Sequence, residues 1–271
     1  MTAPSEITVP QLLRLIGTPD APAIVDLSID PDFEADPYLI PGAFRHSHED
    51  PDGLVARLAG SPVVAVCQKG KKLSQGMAAL LRTRGLKAEF LSGGNIGWRD
   101  NPKAPRLRAA AVPPPVQGRT LWVTRHRPKI DRIACPWLIR RFVDCRADFL
   151  FVAPAEVDDV ADRFGATPFD VADTFWSHRD GGCTFDTMLD EFGLRTEALN
   201  RLAAVICAAD TGQLEASAQA PGLLALSVGL SRLYRDDLTQ LEAGMALYDA
   251  LYRWARDGID ESHASLAEES E

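Results

Sequence analysis

The sequence predicts an α/β chain, with a small parallel-sheet domain first and a mixed, mainly helical α+β domain after it. Three observations carry this expectation. Up to about residue 100, short apolar runs alternate with amphipathic stretches, the pattern of strands interleaved with helices. Residues 101–118 then break the pattern with Pro102, Pro105, Pro113, Pro114 and Pro115, which reads as a semi-rigid spacer. Beyond Thr196 the apolar residues keep helical spacing over long stretches. The expected division is a first domain over 1–100, a linker over 101–118, a second domain over 119–257 and an acidic tail over 258–271.

Each element has its own signal. Thr8 followed by Gln11 is a capping-box pattern ahead of Leu12, Leu13, Leu15 and Ile16, with Gly17 as the stop. Ala23–Leu27 reads as a short buried strand, and Asp52–Leu58 as a helix closed by Gly60. Val63–Val66 is wholly apolar, so both faces of that strand must be covered. A helix over about Leu73–Arg84 follows, with Gly85 in the usual left-handed position after it, and then a strand over Glu89–Leu91. In the second half, Leu121–Thr124 and Phe149–Val152 are strand-like, and Glu156–Phe164 is helical. Pro136 is expected to open a helix through Phe142, and Pro221 one towards Tyr234. Leu199–Cys207 and Leu238–Tyr252 carry the remaining helical periodicity.

Composition narrows the function classes. With 46% hydrophobic and 25% charged residues the chain is an ordinary globular one, which excludes collagen-like and wholly disordered readings. No apolar run is long enough for a transmembrane helix, and Met1–Ile7 lacks the basic and apolar regions of a secretory signal, so the cytoplasm is the expected address. The net charge of −9 argues against coating nucleic acid or an anionic membrane. That charge is uneven: residues 119–146 hold eight Arg or Lys against two Asp, which leaves a local nucleic-acid contact open and suits a small anion better. The cysteines are Cys67, Cys135, Cys145, Cys183 and Cys207; their odd number and the lack of C-x-x-C spacing point to reduced thiols rather than a disulfide framework or a four-cysteine zinc site.

The most informative segment is Val63-Val64-Ala65-Val66-Cys67-Gln68-Lys69-Gly70-Lys71-Lys72-Leu73-Ser74. A buried strand hands a cysteine to a short turn, and a helix starts at once. Such a turn can aim backbone N–H groups at an anion, and the helix N-terminus and three lysines add positive charge. Together they favour a thiolate at Cys67. His46 and His48 lie in a polar stretch and read as surface residues.

With Ile24-Val25-Asp26, Ile40-Pro41-Gly42-Ala43, the Cys67 loop, Leu91-Ser92-Gly93-Gly94 and Trp98 in this order, residues from about Val9 to Trp98 resemble a rhodanese domain. The resemblance implies a sulfurtransferase that carries a persulfide on Cys67 and needs no cofactor. Thiosulfate or another sulfane-sulfur donor would load Cys67, and a thiol or cyanide would accept the sulfur. Gln68, Lys69, Gly70, Lys71 and Lys72 would hold the anionic donor. The chain departs from the family at Ser28, where many members have Arg, and at Leu73, where Ser or Thr is usual and Ser74 comes one place later.

In the second half, Arg125, Arg127, Lys129 and Arg132 place four fixed charges within eight residues, between a strand and a helix. Guanidinium groups match tetrahedral oxyanions through paired hydrogen bonds, so these four are expected to share one. Ser177-His178-Arg179-Asp180-Gly181-Gly182-Cys183-Thr184-Phe185-Asp186 gathers ligand-type residues around a Gly-Gly turn. A metal there would need further ligands, and His178, Asp210 and Glu242 are the candidate set, with His126 as another donor. Arg127–Phe142, Phe169-Asp170, Ser177–Asp186 and Gly229–Arg232 together make residues from about Thr120 to Arg256 similar to the C-terminal domain of ChrB-type chromate resistance proteins. That resemblance implies a role in chromate resistance or response, with chromate or a sulfate-like oxyanion as partner, and brings no catalytic residue. The leading expectation is a rhodanese-like sulfurtransferase fused to a chromate-resistance domain. Its alternatives are a chromate-sensing transcriptional regulator with a degenerate rhodanese module, and a metal-dependent redox enzyme using the His178 segment.

Overall fold

The computed structural model describes residues 5–58 and 60–261, so residues 262–271 of the expected acidic tail lie outside the described residues. The chain forms two compact units. Among the described residues, the first holds the chain up to Leu121 together with Leu138–Asp148 and Asp190–Leu194; the second holds Trp122–Trp137, Phe149–Leu189 and the chain from Arg195 to Glu261.

In chain order the first unit contains β1 (Glu6–Ile7), α1 (Val9–Leu15), β2 (Ala23–Asp26), α2 (Asp30–Glu34), β3 (Tyr38–Leu39), β4 (Ala43–Arg45), α3 (Pro51–Leu58), β5 (Val63–Val66), α4 (Lys72–Thr83), β6 (Ala88–Leu91), α5 (Gly94–Arg99) and β7 (Leu107–Arg108). Five strands make a parallel sheet in the order β1-β6-β5-β2-β4. β5 lies at its centre, which is why its four residues are all apolar and all buried. Val25, Val63 and Ala65 of the sheet, with Leu27 just after β2, pack with Leu54 and Leu58 of α3 and Met77, Ala78 and Leu81 of α4. Thr8 caps α1 as its spacing predicts: the Gln11 amide donates to Thr8 Oγ1, and Gln11 Oε1 accepts from the Thr8 amide.

Residues 101–118, expected as a spacer, belong to this unit. Trp98 Nε1 donates to Pro105 O at 2.8 Å, Leu107 is fully buried, and β7 pairs antiparallel with β3. Proline disfavours a long helix there, and only the short 3-10 turn Ala109–Ala111 forms, but it leaves extended backbone free to add a strand beside another.

The second unit is built on β8 (Leu121–Arg125), α6 (Asp131–Leu138), β9 (Asp148–Val152), α7 (Val157–Phe164), β10 (Thr167–Pro168), α8 (Thr184–Phe192), α9 (Glu197–Asp210), α10 (Ala220–Leu233) and α11 (Asp237–Asp257). Three strands form a sheet in the order β10-β8-β9, and α9, α10 and α11 pack on one another. Trp137 sits among Phe185, Tyr248 and Tyr252, and its Nε1 donates to Asp249 Oδ1 at 2.8 Å. No helix among the described residues is long and apolar enough to cross a membrane.

Two expectations are corrected here. Pro136 does not open a helix: α6 starts five residues earlier, at Asp131, and Pro136 lies inside it. The start is set by Ile130, whose φ of +36° breaks the backbone just before Asp131. The helix then widens, with the Asp144 amide reaching Ile139 O. The cysteines are not all free thiols either. Cys183 and Cys207 form a disulfide with Cα atoms 5.1 Å apart, because the fold brings the start of α8 onto α9 across 24 residues of sequence. Spacing arithmetic sees only local pairs.

Candidate functional site

In the first unit β5 delivers Cys67 to the turn that leads into α4. The Cys67 carbonyl accepts the amides of Gly70 and Asn95, and Gln68 O accepts the amide of Ile96 at 3.0 Å, so the loop is closed on itself and against α5. Two glycines permit this closeness. At Gly70 (φ +64°) a Cβ would lie 2.8 Å from Gly94 N and 2.9 Å from Gly93 N. At Gly94 (φ +58°) a Cβ would overlap the Cys67 carbonyl oxygen and the Gly70 nitrogen. The Leu91–Gly94 segment thus serves to let the cysteine loop dock.

Cys67 is 5% exposed, and its Sγ lies 3.2 Å from Oγ of Ser74, which is fully buried in the first turn of α4. The hydroxyl displaced by one place in sequence therefore still reaches the sulfur, because residue 74 faces back along the helix towards the loop. Lys69, Lys71 and Lys72 are exposed, while Gly70 is buried. Gln68 is drawn aside, its Nε2 donating to Asp32 Oδ1 at 2.8 Å. Asn95 Nδ2 lies between Asp26 Oδ1 and Ser28 Oγ, and fixes the end of β2 beside the loop. At Ser28, one of the two departures from the rhodanese pattern, Arg45 from β4 donates to the Ser28 carbonyl at 3.0 Å. A cavity of about 130 Å³ has Asp32, Tyr38, Gln68, Asn95, Arg99 and Arg106 in its wall, and Cys67 is not part of that wall. His46, expected at the surface, has a side chain only 14% exposed, and its Nε2 lies 2.7 Å from Asp50 O.

The second unit gathers a different chemistry. His178 Nε2 lies 3.3 Å from Asp170 Oδ1, 3.2 Å from Asp210 Oδ2 and 3.6 Å from Asp131 Oδ2. Of the metal candidates read from sequence, His178 and Asp210 meet, while Glu242 is exposed on α11 and His126 is exposed after β8. Asp131 and Asp170 complete the group in their stead. Both lie in segments that stand out in the sequence, but nothing in residue spacing marks them as neighbours of His178.

Local backbone explains how these groups are held. Arg127 (φ +57°) and Ile130 (φ +36°) bend the chain sharply ahead of α6. The bend is secured by α11: the Asp237 carboxylate accepts the Arg127 amide, Gln240 Nε2 donates to Pro128 O, and Tyr248 OH donates to Ile130 O. Asp131 is thereby placed, wholly buried, at the first position of α6, where the amides of Thr184 and Phe185 donate to its Oδ2. Burial, with the charges of Asp210 and Asp170 behind it, pushes the Asp131 carboxyl well above the usual carboxylate range, and the two amides only partly offset this. Burial and Asp170 likewise raise Asp210, against His178, the Asp131 amide and Arg132. One turn along α6, burial pushes the Cys135 thiol well up, with Asp131 adding to it, so Cys135 stays a thiol.

The four cations expected to share an oxyanion do not converge on one. Arg125 and Arg132 both meet Asp170 Oδ2 at 3.2 Å, and Arg132 also donates to His126 O. Arg127 turns to the C-terminus of α10, donating to Tyr234 O at 3.0 Å and to the carbonyl and hydroxyl of Ser231. Lys129 is exposed. The island is thus mostly internal ion pairing and helix capping, a competition that charge counting along the chain does not reveal. Replacing Arg127 by Ala is expected to lower stability by about 1–3 kcal/mol through the orphaned carbonyls, with Lys recovering part of it. Urea unfolding of the two variants checks this, and an unchanged midpoint for Ala would contradict the capping role.

The chain is similar to several known proteins. A rhodanese-like domain protein from Staphylococcus aureus is 27% identical over 36% of this chain and 94% of its own, with a TM-score of 0.31. The SSP1007 structure from Staphylococcus saprophyticus is 23% identical over 33% of this chain and 88% of its own, with a TM-score of 0.30. Protein ChrB of Cupriavidus metallidurans is 30% identical over 210 residues, which is 72% of this chain and 63% of that relative's length. Residues 122–255, which carry the His178 cluster, match the family described as ChrB, C-terminal domain.

Proposed function

We propose that the protein is a rhodanese-like sulfurtransferase joined to a chromate-resistance domain, acting in chromate resistance or the response to chromate. The carrying observation is the Cys67 loop: a cysteine at the end of the central strand, a serine hydroxyl 3.2 Å from its sulfur, and exposed lysines at 69, 71 and 72. The likeness of the second unit to ChrB proteins supports the second half of the reading.

The chemistry follows from the loop. The Cys67 thiolate attacks the outer sulfur of thiosulfate; the new Cys67 S–S bond forms as the donor's own S–S bond breaks, and sulfite leaves with that electron pair. The lysines draw the dianion in and offset its charge. An acceptor thiolate then attacks the terminal sulfur of the persulfide, and Cys67 leaves as the thiolate. Ser74 Oγ is placed to hydrogen-bond either sulfur state.

The intact mass of the full chain after thiosulfate treatment should rise by one sulfur, and Cys67→Ser should abolish the gain. Cys135 and Cys145 are the other free thiols, the first fully buried, so equal labelling of the Ser variant would place the sulfur elsewhere and overturn the proposal.

A further inference from the structure

We infer that the second unit carries a divalent transition-metal site formed by Asp131, Asp170, His178 and Asp210. The inference stands apart from sulfur chemistry at Cys67, and three observations lead to it.

First, three carboxylate oxygens approach one imidazole nitrogen, His178 Nε2, at 3.2, 3.3 and 3.6 Å. That nitrogen carries at most one hydrogen, so it can satisfy one of the three by hydrogen bonding. Ligands about 2.1 Å from a common ion are separated by roughly 3.4 Å in a tetrahedron and roughly 3.0 Å in an octahedron. The three His178–carboxylate spacings lie close to these values, and Asp210 meets the group through His178. The ligand atoms of Asp131, Asp170 and His178 all lie within 4.8 Å of one another.

Second, Asp131 is fully buried within the cluster and its Oδ1 has no hydrogen-bond partner among the described residues. A buried carboxylate oxygen without a donor is costly, and its neighbours here are two further carboxylates. A cation removes both penalties.

Third, the supporting contacts leave ligand atoms available on Asp170 and on Asp131, whose Oδ2 takes the Thr184 and Phe185 amides while Oδ1 stays unpaired among the described residues. Arg125 and Arg132 meet Asp170 at Oδ2, and the Oδ1 atom facing His178 is shared only with the Thr184 hydroxyl at 3.1 Å. Such outer contacts orient ligating carboxylates in metal sites. With all three Asp ionised against two Arg, the formal charge of the group is −1. His178 is 42% exposed, so the cluster has a side open to solvent for entry. One imidazole and three carboxylates form a hard-to-borderline donor set, suited to Mn²⁺ or Zn²⁺ and not to thiophilic Cu⁺.

The test uses the full chain, stripped with a chelator, dialysed and titrated with Mn²⁺ by electron paramagnetic resonance and with Zn²⁺ by calorimetry. One ion per chain is expected to bind, with a rise in melting temperature on loading. His178→Ala and Asp210→Asn, which change partly exposed residues, should each weaken binding by at least about tenfold with unchanged far-ultraviolet circular dichroism. Absence of saturable binding of either ion to the wild type would overturn the inference. So would one-to-one binding that survives both substitutions, since it would place the ion on thiols or surface acids.

Discussion

Replacing Gly94 by alanine is expected to unseat the Cys67 loop and to cost about 4 kcal/mol or more, with loss of persulfide formation. The added Cβ would overlap the Cys67 carbonyl oxygen and the Gly70 nitrogen, and would lie 2.9 Å from the Lys69 carbonyl carbon. All three are backbone atoms of a loop closed by its own hydrogen bonds, so no flexible side chain can give way. The φ of +58° adds the ordinary penalty for a left-handed non-glycine residue. Gly76 is the control: it lies in α4 with nothing within 4 Å of an added Cβ. Gly76→Ala should stabilise the protein by up to about 1 kcal/mol, as helix propensity alone dictates. Denaturant unfolding of both variants, with thiosulfate loading of the folded fraction, separates the effects. A Gly94→Ala protein as stable as wild type would show that the loop is not braced against Gly94.

Reduction of the Cys183–Cys207 disulfide is expected to lower stability by about 3.5 kcal/mol, from the entropy that a cross-link across 24 residues removes from the unfolded chain. The bond joins two parts of the His178 cluster. Cys183 immediately precedes Thr184, whose amide donates to Asp131, and Cys207 lies one turn before Asp210 on α9. Unfolding with and without a phosphine reductant should show the loss in wild type, and a Cys183→Ser/Cys207→Ser protein should not respond. Thiol titration of the unreduced protein under denaturing conditions should count three thiols. A count of five, or reduction without effect on the midpoint, would contradict the bond or its energetic role.

Much of the first unit was legible because its signals are local. The wholly apolar Val63–Val66 run, the Thr8–Gln11 capping box and the glycine after α4 each depend on residues within a few positions, and each element lies within a residue or two of its expected bounds. Cys67 stands where that pattern puts it, at the end of the central strand. Two-residue strands such as β3 and β7 were not legible, since a strand of that length has no periodicity and exists only through its partner. Pro136 misled for a related reason. Proline favours a helix's first turn, but the start of α6 was decided by the bend at Ile130, which α11 holds from more than a hundred residues away.

Sequence alone determined the longer strands and helices of the first unit, the place of Cys67 and its loop, and the concentration of charge before α6, because these follow from chain-local propensity, patterning and composition. Tertiary structure decided which charges face which. It turned Arg127 to a helix end, placed Arg125 and Arg132 on Asp170, joined Cys183 to Cys207, and exchanged Glu242 for Asp131 and Asp170 around His178. The physical reason is that a side chain's partner is set by proximity in space, and residues 131, 170, 178 and 210 come from separate segments that only the packed core brings within 4 Å of one nitrogen.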